Sequence, residues 1–345
     1  MSNLHSFAIG IATQNSKHEV IEVFYPAPRL APSQSIHKAL SDVLGLEPSK
    51  TFAALITADT AKLLADKFQA ITDSDLSSEV SLLQSASSSL LVCVIAEDSA
   101  PQSIAEVFLK LHLLSHRLVK PHGINLEGMF GLLKNLAWTN KGPVELDELP
   151  AAQVKARLNG ELLSVNSVDK FPCMTNYVVP SGVRIADTAR VRLGAYIGAG
   201  TTVMHEGFVN FNAGTIGPAM IEGRISAGVL VGANSDLGGG CSTMGTLSGG
   251  GKEIISVGEH CLIGANAGIG FPLADGCIVE AGLYVTAGTK VKMLDSNGSL
   301  VDTKKALELS KQPDLLFRRN SINGAVECVP LKQSISLNEE LHAHN

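Results

Sequence analysis

Branched apolar residues recur six positions apart in several runs that together span residues 185–291, and this period is the strongest structural signal in the chain. Helices repeat at about 3.6 residues and half-buried strands at about two, so neither element explains it. A period of six predicts a parallel β-solenoid with about eighteen residues in each three-sided coil and about six coils in all. The stations of the repeat are Ile185, Val191, Ile197, Val203, Val209, Ile221, Val231, Leu237, Val257, Ile263, Ile269, Val279, Val285 and Val291.

Two segments interrupt the register and are predicted to form surface loops. The first is Asn212–Met220, and the second is Leu237–Gly251, with the sequence LGGGCSTMGTLSGGG. Insertions in a solenoid leave its surface as loops, and such loops often carry function. Both segments are therefore candidates for a functional role.

Residues 1–135 follow a different pattern, which predicts a separate domain of strands and helices. One helix is expected after Ala100, with Pro101 in its first turn and its apolar residues on one face. Another is expected to begin at an Asp59 N-cap and to run to about Ile71. Apolar, β-branched runs predict strands at Phe7–Thr13, Val20–Tyr25, Phe52–Thr57 and Leu90–Ala96.

The rest of the chain completes a four-part organisation. Residues 136–184 are predicted to be a connector with a short helix at about Ala151–Leu158. The solenoid then occupies residues 185–294, and a more polar extension occupies residues 295–345. This extension is expected to begin with a hairpin-like excursion and to continue as a helix at Thr303–Leu309.

Composition narrows the classes of partner. The net charge is -6 and the basic residues are scattered, so no nucleic-acid stripe or membrane-binding patch is expected. The opening sequence MSNLHSFAIGIATQ lacks the basic region of a secretory signal. The six cysteines form no CxxC pair, which favours a reducing cytoplasm over a disulfide framework.

Carboxylates within the solenoid are the most informative polar residues. Glu206 and Glu222 lie in apolar, glycine-rich surroundings, HEGFVNFNAG and MIEGRISAG. A carboxylate in such surroundings must be paired, bound to a metal, or tuned for proton transfer or nucleophilic attack. Arg224 is either a structural partner of Glu222 or a clamp for a carboxylate substrate. Glu280, in VEAGLYVTAG, is a third candidate.

Two glycine runs, Gly238–Gly240 and Gly249–Gly251, allow two interpretations. Their N–H groups could face a phosphate or an oxyanion, or the runs could form tight turns where the chain leaves the solenoid. A Walker loop is excluded because Thr246 stands at its first glycine position and Glu253 at its Ser/Thr position. No GxGxxG follows a strand and opens a helix, so a dinucleotide-binding fold is not expected.

Histidines give little support for a metal enzyme. His112 and His116 are four residues apart on a predicted helix, but HLLSH lacks the glutamate of a zinc-protease helix. The solenoid holds only His205 and His260, and a zinc site needs at least three ligands, which argues against a β-helical carbonic anhydrase. His205 remains either a general base or a structural hydrogen-bonding group at a coil corner.

Basic pairs follow the solenoid at Lys304–Lys305 and Arg318–Arg319. They could hold the phosphate groups of a nucleotide, or they could be ordinary solvated charge.

Taken together, these motifs resemble a known family. The hexapeptide solenoid resembles the left-handed β-helix acyltransferases. More narrowly, the chain resembles the tetrahydrodipicolinate N-succinyltransferase family in its longer bacterial form, and LKLHLLSHRLVKPH and SVDKFP extend the resemblance to nearly the full length. The blocks that carry it are VRLGAYIGAGTTVMHEGFVNFNAGT, IEGRISAGV, SDLGGGCSTMGTLSGGG, LIGANAGIG, EAGLYVTAGT and LLFRRNS.

The resemblance implies a fold and a reaction. The fold is an α+β N-terminal domain, a left-handed parallel β-helix and a short C-terminal extension. A cytoplasmic homotrimer, with active sites between neighbouring protomers, would transfer a succinyl group from succinyl-CoA to tetrahydrodipicolinate. The products are N-succinyl-2-amino-6-oxopimelate and CoA, in lysine and diaminopimelate biosynthesis. The alternatives are a hexapeptide acyltransferase with another acyl-CoA donor or amine acceptor, and a non-catalytic scaffold. A scaffold would need only the hexads and not the specific glycine and carboxylate blocks.

The resemblance also implies site residues. Glu222 is the implied catalytic carboxylate, acting through an acyl anhydride, while the residues alone leave a general-base role open. A Mg²⁺ ion on the trimer axis is implied at Glu206 and Asp187; three axial glutamates would need a cation, protonation or good hydrogen bonding. The implied succinyl-CoA contacts are Arg224, Gly239, Ser242, Ala265, Glu280, Ala281, Gly288, Lys305 (with Lys304 as its alternative), Arg318, Arg319, Asn320 and Ser321.

Overall fold

The computed structural model of the protein describes residues 4–47, 49–71, 76–85, 89–245 and 254–331. Gly249–Gly251, at the end of the second predicted loop, lies outside these residues. The chain divides into two compact units. Unit 1 comprises Met1–Val119, Gly123–Pro172 and Asn176–Val178, and unit 2 comprises Lys120–His122, Cys173–Thr175 and Val179–Asn345. Within the described ranges, no helix is both long and apolar enough to cross a membrane.

Unit 1 contains eight strands and six helices among its described residues, and all four strands predicted from apolar runs are confirmed. The strands are β1 (Ser6–Gln14), β2 (Val20–Phe24), β3 (Arg29–Leu30), β4 (Phe52–Leu55), β5 (Leu90–Ile95), β6 (Leu136–Thr139), β7 (Gly142–Glu145) and β8 (Val165–Asp169). The helices are α1 (Gln34–Leu44), α2 (Ala58–Gln69), α3 (Ser77–Gln84), α4 (Ile104–Ser115), α5 (Met129–Leu132) and α6 (Leu149–Leu158).

The strands of unit 1 form two antiparallel sheets. One has the order β2-β1-β5-β4, with β3 also pairing with β1, and the other has the order β7-β6-β8. Every residue of β5 is buried, as expected for a central strand with both faces covered. Phe7 of β1 packs against Phe68 of α2 with the ring centroids 6.2 Å apart. The core therefore lies between the larger sheet and the helices that cover it.

Two helix starts differ from the sequence predictions. Thr57, not Asp59, is the N-cap of α2, because its side chain accepts a hydrogen bond from the N–H of Thr60. Asp59 lies in the first turn instead, where its charge favours the helix dipole. Helix α4 begins after Ser103, which exchanges hydrogen bonds with Glu106 in a capping box, so the predicted proline in the first turn lies before the helix.

Helix α4 was expected to bury one face, but its residues from Ala105 to Ser115 are all buried. Two of the four buried polar side chains on this helix, Lys110 and His112, show how such groups are hydrogen-bonded. The ammonium of Lys110 donates to Asp98 and to two backbone carbonyls. The ring of His112 bonds to the carbonyl of Phe108 and accepts from the N–H of Tyr25, and burial lowers its pKa to about 3. This histidine is therefore a neutral core residue.

Unit 2 consists of short strands, as the hexapeptide period predicts. They are β9 (Arg184–Ile185), β10 (Ala195–Ile197), β11 (Thr201–Val203), β12 (Phe208–Val209), β13 (Ala213–Thr215), β14 (Ala219–Ile221), β15 (Arg224–Ile225), β16 (Leu230–Val231), β17 (Ser235–Leu237), β18 (Ser242–Thr243), β19 (Ser256–Val257), β20 (Leu262–Ile263), β21 (Gly268–Gly270), β22 (Ile278–Val279), β23 (Tyr284–Thr286), β24 (Lys290–Leu294), β25 (Leu300–Lys305), β26 (Leu315–Arg319) and β27 (Val326–Pro330).

These strands stack into three parallel faces, and the chain visits them in turn. Face A is β10-β13-β16-β19, face B is β9-β11-β14-β17-β20-β22-β26, and face C is β12-β15-β18-β21-β23. The predicted solenoid is therefore confirmed. The inward residues, at most 2% exposed, are Ile197, Thr215, Val231 and Val257 of face A; Val203, Ile221, Leu237, Ile263, Val279 and Phe317 of face B; and Val209, Ile225, Thr243, Ile269 and Val285 of face C.

The first predicted loop, Asn212–Met220, is wrong. These residues form β13 and β14 and keep the register, with Thr215 at the inward station. A threonine is tolerated there because its hydroxyl bonds to Thr201 at 2.8 Å and accepts the N–H of Gly198. The start of the second predicted loop is also wrong, because Ser235–Leu237 and Ser242–Thr243 are strands β17 and β18 of the solenoid, while residues 246–251 lie outside the described residues. The spacing between successive inward residues instead falls from six to four at two places. These are Ile221 to Ile225 and Ile269 to Leu273.

The predicted C-terminal helix is also largely wrong. The hairpin-like excursion is confirmed as β24 and β25, which pair antiparallel from Lys290 opposite Lys305. Only a short 3₁₀ turn, Ala306–Leu309, follows. Pairing with β24 overrides the helical propensity of the sequence up to Lys305.

Candidate active site at a shortened corner of the solenoid

The corner between faces B and C is normally a four-residue turn. In each turn the N–H of the fourth residue donates to the carbonyl of the first, at 2.9 to 3.2 Å. Gly240, Asn266 and Gly282, at the third positions, have positive φ, as a type II turn requires. The four-residue turns at this corner are Met204–Gly207, Gly238–Cys241, Gly264–Ala267 and Glu280–Leu283.

The coil that contains Glu222 lacks two residues of this turn. Only Gly223 separates Glu222 from β15, yet the backbone stays in register, since the N–H of Glu222 donates to the carbonyl of Leu237 at 2.8 Å. A Cβ at Gly223 would lie 2.7 Å from the carbonyl oxygen of Cys241, so only glycine fits. A cleft of about 610 Å³ opens at this corner. It is lined by Arg190, Glu206, Phe208, Gly223, Arg224, Gly240, Cys241 and Ser242.

The carboxylate of Glu222 is half-buried and has no hydrogen-bond donor among the described residues. It lies beside the next turn, because a Cβ at Gly239 would be 3.4 Å from its Oε2. Arg224 does not pair with it. Instead, the guanidinium of Arg224 is exposed and donates to the hydroxyl of Ser242 at 2.6 Å. The structural Glu–Arg pair considered from sequence is therefore wrong, and both side chains are available to a ligand.

Small residues follow Glu222 along the outer surface of this corner. This strip of surface is called the groove and is made of Glu222, Gly238, Gly239, Gly264, Ala265, Glu280 and Ala281. Glu222 and Glu280 occupy the same position three coils apart, with Gly238 and Gly264 between them. At about 4.8 Å per coil the two carboxylates are roughly 14 Å apart along the stack. The next column contains Gly239, Ala265 and Ala281, whose N–H groups donate to no acceptor in the described part of the chain. The groove thus presents a column of amide donors to whatever lies in it.

At the far end of the groove, the predicted basic residues are partly engaged. The N–H of Arg319 donates to Oε2 of Glu280 at 2.7 Å. The guanidinium of Arg318 lies 3.3 Å from buried Glu327, to which Asn320 also donates. Arg318 is thus ion-paired within the protein, although 43% of its side chain is exposed. Ser321 follows as an exposed residue.

Gly288 and Lys305 lie elsewhere, at the corner that follows face C. The N–H of Ala306 donates to the carbonyl of Thr289, which brings these two exposed residues together. The predicted site residues therefore fall into three groups. Gly288 and Lys305 lie apart from the others, and Arg224 and Ser242 lie together on face C. The group at the corner between faces B and C consists of Glu222, Gly239, Ala265, Glu280, Ala281 and residues 318–321.

The two residues assigned to a metal have different surroundings. Glu206 was expected in an apolar environment, but its side chain is 68% exposed, and Nδ1 of exposed His205 lies 2.9 Å from its Oε1. The carboxylate of Asp187 accepts the N–H of Ala189 at 3.0 Å. Within the described ranges, no group of three or more histidine, cysteine or acidic residues could hold a metal ion.

Several lining residues were not anticipated. Arg190 donates to the carbonyls of Glu206 and Gly207, which fixes the turn above the cleft. Burial, aided by the charges of Asp236 and Glu222, raises the pKa of the Cys241 thiol to about 12, so this thiol is neutral. The available sequence signal was the spacing of four between Ile221 and Ile225, which marks the shortened corner.

Comparison with known proteins identifies related chains. Profiles described as tetrahydrodipicolinate N-succinyltransferase N-terminal, tetrahydrodipicolinate N-succinyltransferase middle, and hexapeptide repeat of succinyl-transferase match residues 52–131, 133–172 and 254–287. The 2,3,4,5-tetrahydropyridine-2,6-dicarboxylate N-succinyltransferases of Pseudomonas paraeruginosa and Vibrio cholerae are 63% and 55% identical, over 99% and 98% of this chain and 99% of each relative.

A solved structure is also similar. The Campylobacter jejuni protein, described as a 2,3,4,5-tetrahydropyridine-2-carboxylate N-succinyltransferase, has a TM-score of 0.87 and 32% identity, covering 97% of this chain and 94% of that one. Both the sequence and the fold are thus shared along almost the whole length. The chain belongs to the tetrahydrodipicolinate N-succinyltransferase family.

Proposed function

We propose that this chain transfers a succinyl group from succinyl-CoA to tetrahydrodipicolinate, giving N-succinyl-2-amino-6-oxopimelate and CoA in lysine and diaminopimelate biosynthesis. The observation that carries this function is the full-length similarity to relatives of that name. The geometry of the groove adds support, because Glu222 has no hydrogen-bond donor, and the N–H groups of Gly239, Ala265 and Ala281 have no acceptor, among the described residues.

The groove suits the donor substrate. The acyl-pantetheine arm of CoA is a narrow chain with amide carbonyls that can accept from Gly239, Ala265 and Ala281. Small residues let the chain approach the backbone closely. Lys305 is exposed and suits a phosphate as a point charge. We assign a substrate carboxylate to Arg224, since guanidinium groups match carboxylates well.

Glu222 is the proposed catalytic carboxylate. As a nucleophile, it would attack the thioester carbonyl; the C–S bond would break, and CoA would leave and take up a proton. Water would add to the C=N bond of the cyclic acceptor and open its ring, which gives a free amine and the 6-oxo group. This amine would then attack the acyl anhydride, forming the C–N bond, losing a proton to solvent and freeing the carboxylate. As a general base, Glu222 would instead take the amine proton during direct attack. Amide donors of the groove would stabilise the oxyanion in both cases.

The finer assignments extend this proposal. We propose a left-handed coil, a cytoplasmic homotrimer and the division at residues 135, 184 and 294. A trimer-axis Mg²⁺ would be held by Glu206, whose exposed carboxylate fits that role. Asp187 fits less well, because its carboxylate already accepts the Ala189 N–H. No step of the transfer depends on this ion.

The deciding experiment measures CoA release from succinyl-CoA with tetrahydrodipicolinate generated in situ. Release that requires both substrates supports the proposal, and no release contradicts it. Acetyl-CoA and other amines, tested in parallel, distinguish an acyltransferase of other specificity. Rapid acid quenching with labelled succinyl-CoA separates the two roles of Glu222, since only the anhydride route labels the protein.

A further inference from the structure

A second cleft lies wholly within unit 1, whereas the acyl-transfer groove belongs to unit 2. Its volume is about 380 Å³, within the range of small-ligand sites. It is lined by Thr13, Glu22, Phe24, Trp138, Thr139, Asn140, Gly142, Pro143, Asn166, Asn176 and Tyr177. None of these residues has a part in the proposed transfer.

Glu22 is the only ionisable carboxyl group in this lining, and it is 5% exposed. The hydroxyl of Thr13 donates to its Oε2 at 2.7 Å, and the hydroxyl of Tyr177 is a second partner. No cation among the described residues pairs with it. Burial therefore raises the pKa of Glu22, and the two hydroxyl contacts only partly oppose this. A buried carboxylate without a cation is costly, so a cationic ligand would be favoured here.

Lys134, which lies two residues before strand β6, is already paired with other carboxylates. Lys134 lies 2.8 Å from Glu19 and 2.6 Å from Glu145, both outside the cleft lining. Its ammonium is thus shared between two other carboxylates, which leaves the charge of Glu22 uncompensated.

The other lining side chains suit an organic cation rather than a bare metal ion. Trp138, Phe24 and Tyr177 give the cleft three aromatic side chains, and the rings of Phe24 and Tyr177 lie 6.2 Å apart. The indole N–H of Trp138 already donates to the carbonyl of Asp169 at 2.8 Å, so its remaining contribution is the ring system. Aromatic rings attract ammonium groups and pack against methylene chains.

We propose that this cleft binds a small organic ammonium ion, with the ammonium at Glu22 and the carbon chain against the three aromatic side chains. The site requires both parts. A metal ion would find one carboxylate and no cluster of ligands, and a neutral alcohol would leave the buried carboxylate uncompensated.

The test uses Trp138 as its reporter, because it is the only tryptophan in the chain. The full-length protein is titrated at constant chloride with n-butylammonium, n-butanol and butyrate, which differ mainly in charge. A saturable fluorescence change with n-butylammonium is expected. The affinities for n-butanol and butyrate should be at least tenfold lower, because neither can form the ion pair and the cation–π contacts. Equal response to n-butanol, or no saturable response to n-butylammonium, would overturn the proposal.

Variants then locate the charge. Glu22→Gln should weaken n-butylammonium binding about tenfold. Glu145→Gln, the matched loss of a charge outside the cleft, should leave binding within about twofold. Unchanged binding in Glu22→Gln refutes the assignment. If thermal unfolding shows that this variant does not fold, Tyr177→Leu serves instead: it should weaken binding about threefold through the lost aromatic contact, and unchanged affinity would refute the site.

Discussion

The corner around Glu222 and the corner around Glu280 place the same residue type at the same point of the coil, yet in opposite situations. Glu280 begins a complete four-residue turn, and its carboxylate accepts the N–H of Arg319. Glu222 begins a turn that lacks two residues, and no described residue donates to its carboxylate.

The difference shows that position in the repeat does not decide chemical role. At Glu280, a complete turn and a neighbouring strand make the carboxylate a structural hydrogen-bond acceptor. At Glu222, the turn lacks two residues, and the carboxylate lies half-buried beside an open cleft. Its charge can act on a substrate there. We therefore expect substitutions at the two glutamates to affect different kinetic constants.

The strongest contrast is between Glu222→Gln and Glu280→Gln. Glu222→Gln should lower kcat on the order of a thousandfold, because an amide can neither take a proton nor attack the thioester. Glu280→Gln should mainly raise KM for succinyl-CoA, with kcat lowered less than about tenfold. Steady-state CoA release gives both constants, and thermal unfolding reports whether each variant is folded. Equal losses of kcat would abolish the distinction between the corners.

A smaller effect is expected from narrowing the groove between them. Gly239→Val would place a branched side chain beside Oε2 of Glu222, where a Cβ alone is 3.4 Å away. KM for succinyl-CoA should rise at least on the order of tenfold. Gly131→Val is the matched control, since a Cβ there meets nothing within 4 Å. Unchanged affinity for CoA in Gly239→Val would show that succinyl-CoA does not bind along the groove.

The lysines after the solenoid sharpen the assignment of the phosphate contact. Lys304 lies 3.7 Å from Asp302, whereas Lys305 is exposed and makes no ion pair with the described residues. Lys305→Ala should raise KM for succinyl-CoA about three- to tenfold at low salt and less at high salt. Lys304→Ala should change it by less than about twofold. The reverse order would exchange the roles of the two lysines.

The smallest expected signal concerns the thiol at the shortened corner. Because the pKa of Cys241 is raised to about 12, its reactive thiolate should be scarce until the pH approaches that value. At pH 8, iodoacetamide should label half-exposed Cys173 well before Cys241, as read by peptide mass spectrometry. Labelling of Cys241 at the rate of Cys173 would contradict the raised pKa and make this thiol a second candidate nucleophile at the corner.

The sequence predicted the solenoid well because its interior selects one apolar side chain per side. The prediction was wrong where the spacing between two inward residues departs from six. Ile225 follows Ile221 after four residues, so a strict count of six assigned the irregularity to Asn212–Met220. Thr215 added to the error, since its hydroxyl is satisfied inside the coil although threonine appears to break the apolar series.

The site was predicted in part for a similar reason. Glu222 was identified because a carboxylate stands out in the repeat, whereas the surroundings of Glu206 were misjudged. Its apolar neighbours in sequence include inward residues such as Val203 and Val209, while Glu206 itself lies on an exposed turn. Contacts across coils, such as those of Arg224 with Ser242, join residues eighteen positions apart, and no local pattern reveals them.

The shortened turn at Glu222 shows that a repetitive scaffold can gain a binding surface by subtraction. Val209, Ile225 and Thr243 remain fully buried next to this corner, so the loss of two residues leaves the packing of the interior intact. A second shortening lies between Ile269 and Leu273, where the inward residues again remain buried. Each coil can therefore be trimmed at its edge independently of the others, and a solenoid of this kind can diversify its outer surface while one inherited core is kept.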